Sequence, residues 1–228
     1  MALTFAFEGI DGSGKSTLVS AVHLRLCELG YKSVVSKEPG SPLHSLQGSL
    51  RNLVLHHADL STFEREILFT VDASCHRRAL EKTEAPIVLS DRGLWSHMAY
   101  LRGSLKTGLI DYDEWKICFD LFKRLCFEPA GIIYLSGGID LMRERMQERG
   151  QKDSKKKDVI ESRPTEYFKY VLETYEDLME TSVSQKVLSL DARNTIANNV
   201  AAVVEWMQYE YRYDELTTGK IQDFSGQH

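Results

Sequence analysis

Residues 9–16 read Gly9-Ile10-Asp11-Gly12-Ser13-Gly14-Lys15-Ser16. The stretch satisfies G-x-x-x-x-G-K-[ST] at every fixed position. Before it, Leu3–Phe7 is a short apolar run that reads as a buried strand. After it, Leu18, Val22, Leu26 and Leu29 recur at helical spacing between Ser16 and Leu29. Strand, glycine loop and helix together make a phosphate cradle. The glycines let successive backbone N–H groups curl around an anion, and the helix aims its positive end at the same point. Lys15 reaches the outer phosphates of a nucleoside triphosphate. The Ser16 hydroxyl suits Mg²⁺, an ion that keeps most of its waters. Gly9, Asp11, Gly12, Ser13, Gly14, Lys15, Ser16 and Thr17 are therefore the expected triphosphate-binding set.

Working outward, Gly30 stops the first helix and Tyr31–Ser36 reads as a second strand. Lys37-Glu38-Pro39-Gly40 breaks the chain. Leu43–Leu55 and Phe63–Leu80 carry helical periodicity, and Ile87–Ser90 is a third strand closed by Asp91-Arg92-Gly93. Leu94–Leu101 and Asp113–Phe127 read as helices, Ile132–Leu135 as a fourth strand and Leu141–Arg149 as a helix. Residues 149–157, RGQKDSKKK, are basic without an apolar face and read as a mobile surface loop. Tyr167–Met179 is helical, Val187–Leu190 a fifth strand and Ile196–Tyr211 the last helix. Strands alternating with helices predict an α/β fold: a three-layer P-loop NTPase architecture with a five-stranded parallel sheet flanked by helices. One domain spans 1–213, and the polar tail 214–228 is expected to fray.

Composition narrows the function. The 228 residues carry 28 Lys and Arg against 33 Asp and Glu, a net charge of −5. That balance disfavours non-specific duplex binding, so no nucleic-acid partner is expected. The four cysteines form no C-x-x-C pair and do not group with the histidines at zinc spacings, so they read as thiols of a reducing compartment. No run approaches a membrane span, and residues 1–10 lack the charged start and long apolar core of a secretion signal. A cytoplasmic protein without a membrane partner is expected. A GTP switch would need N-K-x-D, and no Asn-Lys pair occurs. Ligands of open parallel sheets bind at the carboxyl ends of the strands. Residues 37–40 and 91–92 would thus face the phosphate loop across one cleft, the layout of a small-molecule kinase.

The ordered motifs resemble the thymidylate kinase family over about residues 3–191. FEGIDGSGKST (7–17) resembles its phosphate loop and EPG (38–40) the loop after its second strand. Arg51 resembles its acceptor-phosphate arginine, and Phe69 of ILF (67–69) the aromatic that stacks on thymine. Asp91-Arg92 with Ser96 and Ala99-Tyr100 resembles D-R-x…S…A-Y, while Asp158, Ile160 and Glu161 resemble D-x-I-E after a lid at about 149–161. The resemblance implies transfer of a phosphoryl group from ATP, with Mg²⁺, to a deoxynucleoside monophosphate, first of all dTMP. It implies acceptor contacts from Asp11, Glu38, Pro39, Arg51, Phe69, Arg92, Ser96 and Tyr100, and metal contacts from Ser16 and Asp91. Lys15, Arg92, Arg149 and Lys155 are the implied catalytic cations. Members commonly dimerise through helices, and Leu94–Leu101 and Asp113–Phe127 have the apolar content for a homodimer, although burial in the core explains that content equally. A deoxynucleoside kinase, with Glu38 as base, and a non-catalytic nucleotide-binding regulator are the alternatives.

Four features bear on specificity and mechanism. The family's base-reading arginine, four residues beyond the stacking phenylalanine, is Ala73 here; Arg77 and Arg78 stand one turn further. The glutamine of A-Y-Q is Leu101, and the arginine of R-E-P-G is Lys37. Without an edge reader, discrimination between dTMP and other deoxypyrimidine monophosphates is expected to be weak, and Ala73→Arg to sharpen it. The phosphate loop also has no cation before Lys15, so the charge that bridges donor and acceptor must come from elsewhere. The basic segment offers Arg149, Lys152, Lys155, Lys156 and Lys157, with Arg145 a competitor. Neutralising Arg149, Lys155, Lys156 and Lys157 together should lower the catalytic rate more than acceptor affinity, as loss of a transition-state contact does. Steady-state kinetics with both substrates varied would show it, and an unchanged rate would return the segment to a solvated loop.

Overall fold

The computed structural model describes residues 2–152, 158–182 and 185–218. Five strands form one all-parallel sheet: β1 (Leu3–Glu8), β2 (Ser33–Lys37), β3 (Ile87–Asp91), β4 (Gly131–Ser136) and β5 (Val187–Asp191), in the order β2-β3-β1-β4-β5. The expected architecture is thus present. β1 is central, and all six of its residues are buried. A strand covered on both faces has no side for polar alternation, which is why its sequence is a nearly continuous apolar run.

Nine helices of the described residues surround the sheet: α1 (Lys15–Glu28), α2 (Gln47–His56), α3 (Thr62–Leu80), α4 (Leu94–Lys106), α5 (Tyr112–Leu125), α6 (Ile139–Lys152), α7 (Thr165–Thr181), α8 (Ile196–Glu210) and α9 (Tyr213–Thr218). One core cluster packs Leu18, Val22 and Leu26 of α1 and Val203 and Met207 of α8 against Phe5 and Phe7. Another packs Trp95 and Ala99 of α4 and Tyr167, Val171 and Tyr175 of α7 against Ile132 and Tyr134. Helices α4 and α7 approach closely at Gly103, where a Cβ would stand 2.9 Å from the Tyr167 ring. This glycine is a packing requirement rather than a helix stop, so α4 runs to Lys106, past its expected end.

The register brings the polar strand ends together. Lys37 pairs with Asp91, and Asp91 with Phe7, so the carboxyl ends of β2, β3 and β1 lie level. Side chains then fix the helix starts. Ser61–Glu64 and Asp111–Glu114 form capping boxes on α3 and α5. Helix α4 is capped from a distance: Glu8, the last residue of β1, accepts from Trp95 N and Ser96 N at 3.0 Å each. The orphan amides of a helix start need such acceptors.

Several boundaries differ from the sequence reading. After Gly30, Tyr31 bonds back to Leu26 O and is buried, so β2 starts only at Ser33. Residues 149–152 extend α6 instead of opening a loop, and 153–157 lie outside the described residues. The tail does not fray at 214: α9 continues to Thr218, and Leu216, 1% exposed, joins the core cluster of Tyr211 and Met207. One well-placed leucine in a polar stretch is enough to anchor a turn, and composition hides it. Leu216→Ala should therefore cost roughly 2–5 kcal/mol of unfolding free energy. Denaturant melts would show this, and a loss below about 0.5 kcal/mol, the range of an ordinary surface change, would make the tail dispensable.

Candidate active site

The phosphate loop leaves β1 through Gly9. Its φ of 139° is one that side chains rarely adopt, and a Cβ there would stand 2.6 Å from Leu135 O, so only glycine fits. Gly9 itself does not line the cavity; its carbonyl accepts from Arg92 Nη1 and Tyr175 OH. Lys15 is buried and donates to Ile10 O at 2.8 Å. Burial, then the nearby charge of Arg92, lowers its pKa to about 8. Ser16 Oγ donates to Asp91 Oδ2 at 2.5 Å, so hydroxyl and carboxylate meet at the start of α1. Among the described residues, no group of three or more His, Cys, Asp or Glu converges as a metal cage.

A cavity of about 640 Å³ runs from this loop to the ends of β2 and β3. Asp11, Gly12, Ser13, Gly14, Lys15, Ser16 and Thr17 line one end. Glu38, Pro39, Arg51, Phe69, Asp91, Arg92, Ser96 and Tyr100 line the other. Apart from the side chains of Arg149, for which only the helix is described, and Lys155, which lies outside the described residues, the expected residues other than Gly9 share this one space.

Arg92 organises the end of the cavity at β2 and β3. Its φ of 81° lies in the left-handed region, which side chains rarely adopt, and such strain clusters at functional sites. It donates to Ser96 Oγ at 3.0 Å and pairs with Asp11 Oδ1. Tyr100 OH donates to the other Asp11 oxygen at 2.6 Å. Burial by itself would lower the guanidinium pKa, but Asp11, Tyr100, Tyr175 and Asp91 hold it well above its ordinary value. Ser96 is turned toward Glu8, Tyr175 and Arg92, so much of its role is positional. Arg51 donates to Pro39 O at 2.7 Å, and Asp72 accepts from Gly40 N, which fixes the loop after β2. Glu38 is held by His76, Oε1 to Nδ1 2.5 Å.

Other residues reach the site that the motifs did not name as contacts. Lys37 lines the cavity, its pKa lowered by burial and then by the charge of Arg51; with Arg51 and Arg92 it makes three cations at one end. The sequence places Lys37 among the residues expected across the cleft from the phosphate loop, and its pairing with Asp91 shows how it comes there. Arg145 of α6 donates to Gly12 O, Ser13 O and Ala192 O at 3.1, 2.7 and 2.7 Å. A cation thus lies against the phosphate loop before the basic segment begins. Asn194, Ile196 and Asn199 line the cavity beside it. Glu66 also lines the cavity, and burial pushes its pKa up to about 7. No motif marks these residues; only helix phase and neighbouring strands bring them in.

Neither position 73 nor Arg77 and Arg78, one turn further on α3, lines the cavity. Ala73 is 1% exposed and packs with Phe122, Cys126 and Leu94, so Ala73→Arg would overpack a core cluster rather than install a reader. Arg77 is bound to Glu81 and Arg124 O at the surface, and Arg78 contacts Cys75. Leu101 is buried with Ile110 and Cys118. His97 lines the cavity instead, edge-on to Phe69.

A family model described as thymidylate kinase matches residues 7–203. The thymidylate kinase of Campylobacter lari is 32% identical over 201 residues, covering 85% of this chain and 93% of that one. That of Campylobacter fetus is 33% identical over 192 residues, covering 82% and 90%, and that of Francisella tularensis 30% over 197, covering 83% and 87%. A solved deoxyadenosine kinase from M. mycoides, with dCMP and dCDP bound, shares the fold: TM-score 0.68, 17% identity, 90% of this chain and 99% of that one. With a matching model over most of its length and relatives at this level of identity, the chain belongs to the thymidylate kinase family.

Proposed function

We propose that the protein transfers the γ-phosphoryl group of ATP to dTMP, giving dTDP and ADP. The observation that carries this reading is the single cavity in which Lys15 and the phosphate loop face Lys37, Arg51 and Arg92. A site for a 5′-hydroxyl has no need of three cations at its acceptor end, whereas a second phosphate does. The acceptor phosphate oxygen is already nucleophilic, so the protein supplies alignment and charge compensation. Arg92 and Arg51 orient the acceptor phosphate, and the guanidinium fork suits that geometry. Lys15 follows the charge on the donor's outer phosphates. Arg145 lies against the phosphate loop, and Arg149 and Lys155 would supply the further charge that the family resemblance implies for the basic segment. Phe69 offers a ring face to the base, and Asp11, held by Arg92 and Tyr100, sits where a 2′-hydroxyl would be disfavoured.

Mg²⁺ fits the Ser16–Asp91 pair: one hydroxyl and one carboxylate beside the loop are the sparse donors this ion takes alongside phosphates and water. When bound it neutralises charge on the phosphoryl group. We place the reaction in the cytoplasm, in keeping with four unpaired cysteines. Among the described residues no helix is long and apolar enough to cross a membrane. The homodimer that the family resemblance implies would use α5, where Ile117 and Leu121 are exposed one turn apart.

Two measurements test the reading. A coupled ADP-release assay across deoxynucleosides and their monophosphates should show turnover with dTMP far above that with thymidine. Preference for the nucleoside would make the protein a deoxynucleoside kinase with Glu38 as base, and no turnover at all would make it a regulator. Lys15→Ala should lower the catalytic rate at least a hundredfold without lowering the melting temperature, because a buried ammonium contributes little to stability. Near-wild-type turnover would remove this loop as the donor site.

A further inference from the structure

His97 lies on α4 one turn before Tyr100 and lines the cavity. Its ring is fixed from two sides. Phe122 stacks on it at 3.4 Å between centroids and 7° between planes, and Phe69 meets it edge-on at 5.8 Å and 90°. The imidazole is polar, yet its side chain makes no hydrogen bond to any described residue. Nε2 is shut away from solvent without a partner; Nδ1 is not shut away, which leaves it to the cavity.

The proton position follows from this arrangement. A buried N–H without an acceptor is the rarer and costlier orphan, while an unshared lone pair is better tolerated. The hydrogen therefore belongs on Nδ1. Burial also drives the pKa down to about 3, so the ring is neutral throughout the working range. The cavity is thus offered one fixed, uncharged N–H donor beside an aromatic face.

We propose that His97 reads the base of the acceptor, donating from Nδ1 to the 4-oxo group of a pyrimidine that Phe69 stacks. This rests on the reading of the cavity as a nucleoside monophosphate site. Tyr100 and Asp11 mark the sugar end. His97 stands three residues before Tyr100, a rise of about 4.5 Å along α4, comparable to the span of a pyrimidine from its sugar-bearing nitrogen to its 4-substituent. The 2-oxo group lies beside the sugar, at the wrong end for His97. Ala73 has a part in this. Its small side chain shares a buried cluster with Phe122, and Phe122 carries the imidazole. The residue that removes a reader from α3 thus makes room for the support of a reader on α4. A donor at the 4-position accepts thymine and uracil alike and opposes the 4-amino group of cytosine. It leaves the 5-substituent unread.

The test compares catalytic efficiency for dTMP, dUMP and dCMP in wild type, His97→Phe and His97→Asn. In His97→Phe the efficiency with dTMP and dUMP should fall roughly tenfold, mainly through KM, since one hydrogen bond is lost. Efficiency with dCMP should stay or rise, so the dTMP:dCMP ratio shrinks by that factor. His97→Asn, which keeps a donor, should recover part of the ratio. A merely structural histidine would lower all three acceptors together. Independently, long-range ¹H–¹⁵N spectra of the wild type should show His97 protonated at Nδ1, with that resonance moving on addition of dTMP. This measurement decides the matter should the variants fail to fold. An unchanged ratio in folded variants, or a proton on Nε2, would overturn the proposal while leaving dTMP phosphorylation intact. A wild type inactive with every monophosphate would instead remove the underlying kinase reading.

Discussion

Arg92 and Asp11 hold the two halves of the site together. Asp11 belongs to the loop after β1, and Arg92 to the turn after β3. Their pairing joins the donor cradle to the acceptor cations across the sheet end. The left-handed backbone at Arg92 is what points its guanidinium back at Gly9 and Asp11 instead of into solvent. Strain of this kind persists only where the surroundings over-determine it. Here the surroundings are Ser96, Tyr100 and the backbone of Phe7, each fixed by packing or by Glu8.

Glu8 is the next link. A carboxylate buried at the end of the central strand is costly, and desolvation pushes its pKa up to about 7, against the pull of Ser96 and the cations. Two amides at the start of α4 and the Ser96 hydroxyl repay part of that cost. The geometry, with three donors aimed at two acceptor oxygens, favours the ionised form more than burial by itself suggests. The same dry environment lowers Lys15 to about 8 and burdens Lys37 and Arg51. These cations crowd one another, and Asp11, Asp91 and Asp158 offset part of that repulsion. Phosphorylated ligands in the cavity would offset more of it, so binding and charge compensation have one origin.

The phosphate loop, the strand–helix alternation and the polar breaks after β2 and β3 were legible because each is a local pattern. A glycine needed for a tight turn, an apolar run buried on two faces and a proline that ends a strand all act within a few residues. The lysine-rich segment was legible only as charge, since nothing in its composition says what it faces. Boundaries failed where one contact outweighed composition, at Tyr31, Gly103 and Leu216. Base reading was the least legible. A motif alignment directs attention to position 73, but helix phase and the bulk of Phe122 put Ala73 in the core and His97 at the cavity.

By itself, the sequence determined the fold class, the donor loop and the set of residues that gather at the strand ends. Those follow from backbone conformation and hydrophobic burial, which are written in local order. Only the tertiary structure decided which cations share a cavity, which carboxylate caps which helix and which aromatic groups line the cavity. Those contacts join residues dozens to more than a hundred positions apart, and strand register and helix packing set them.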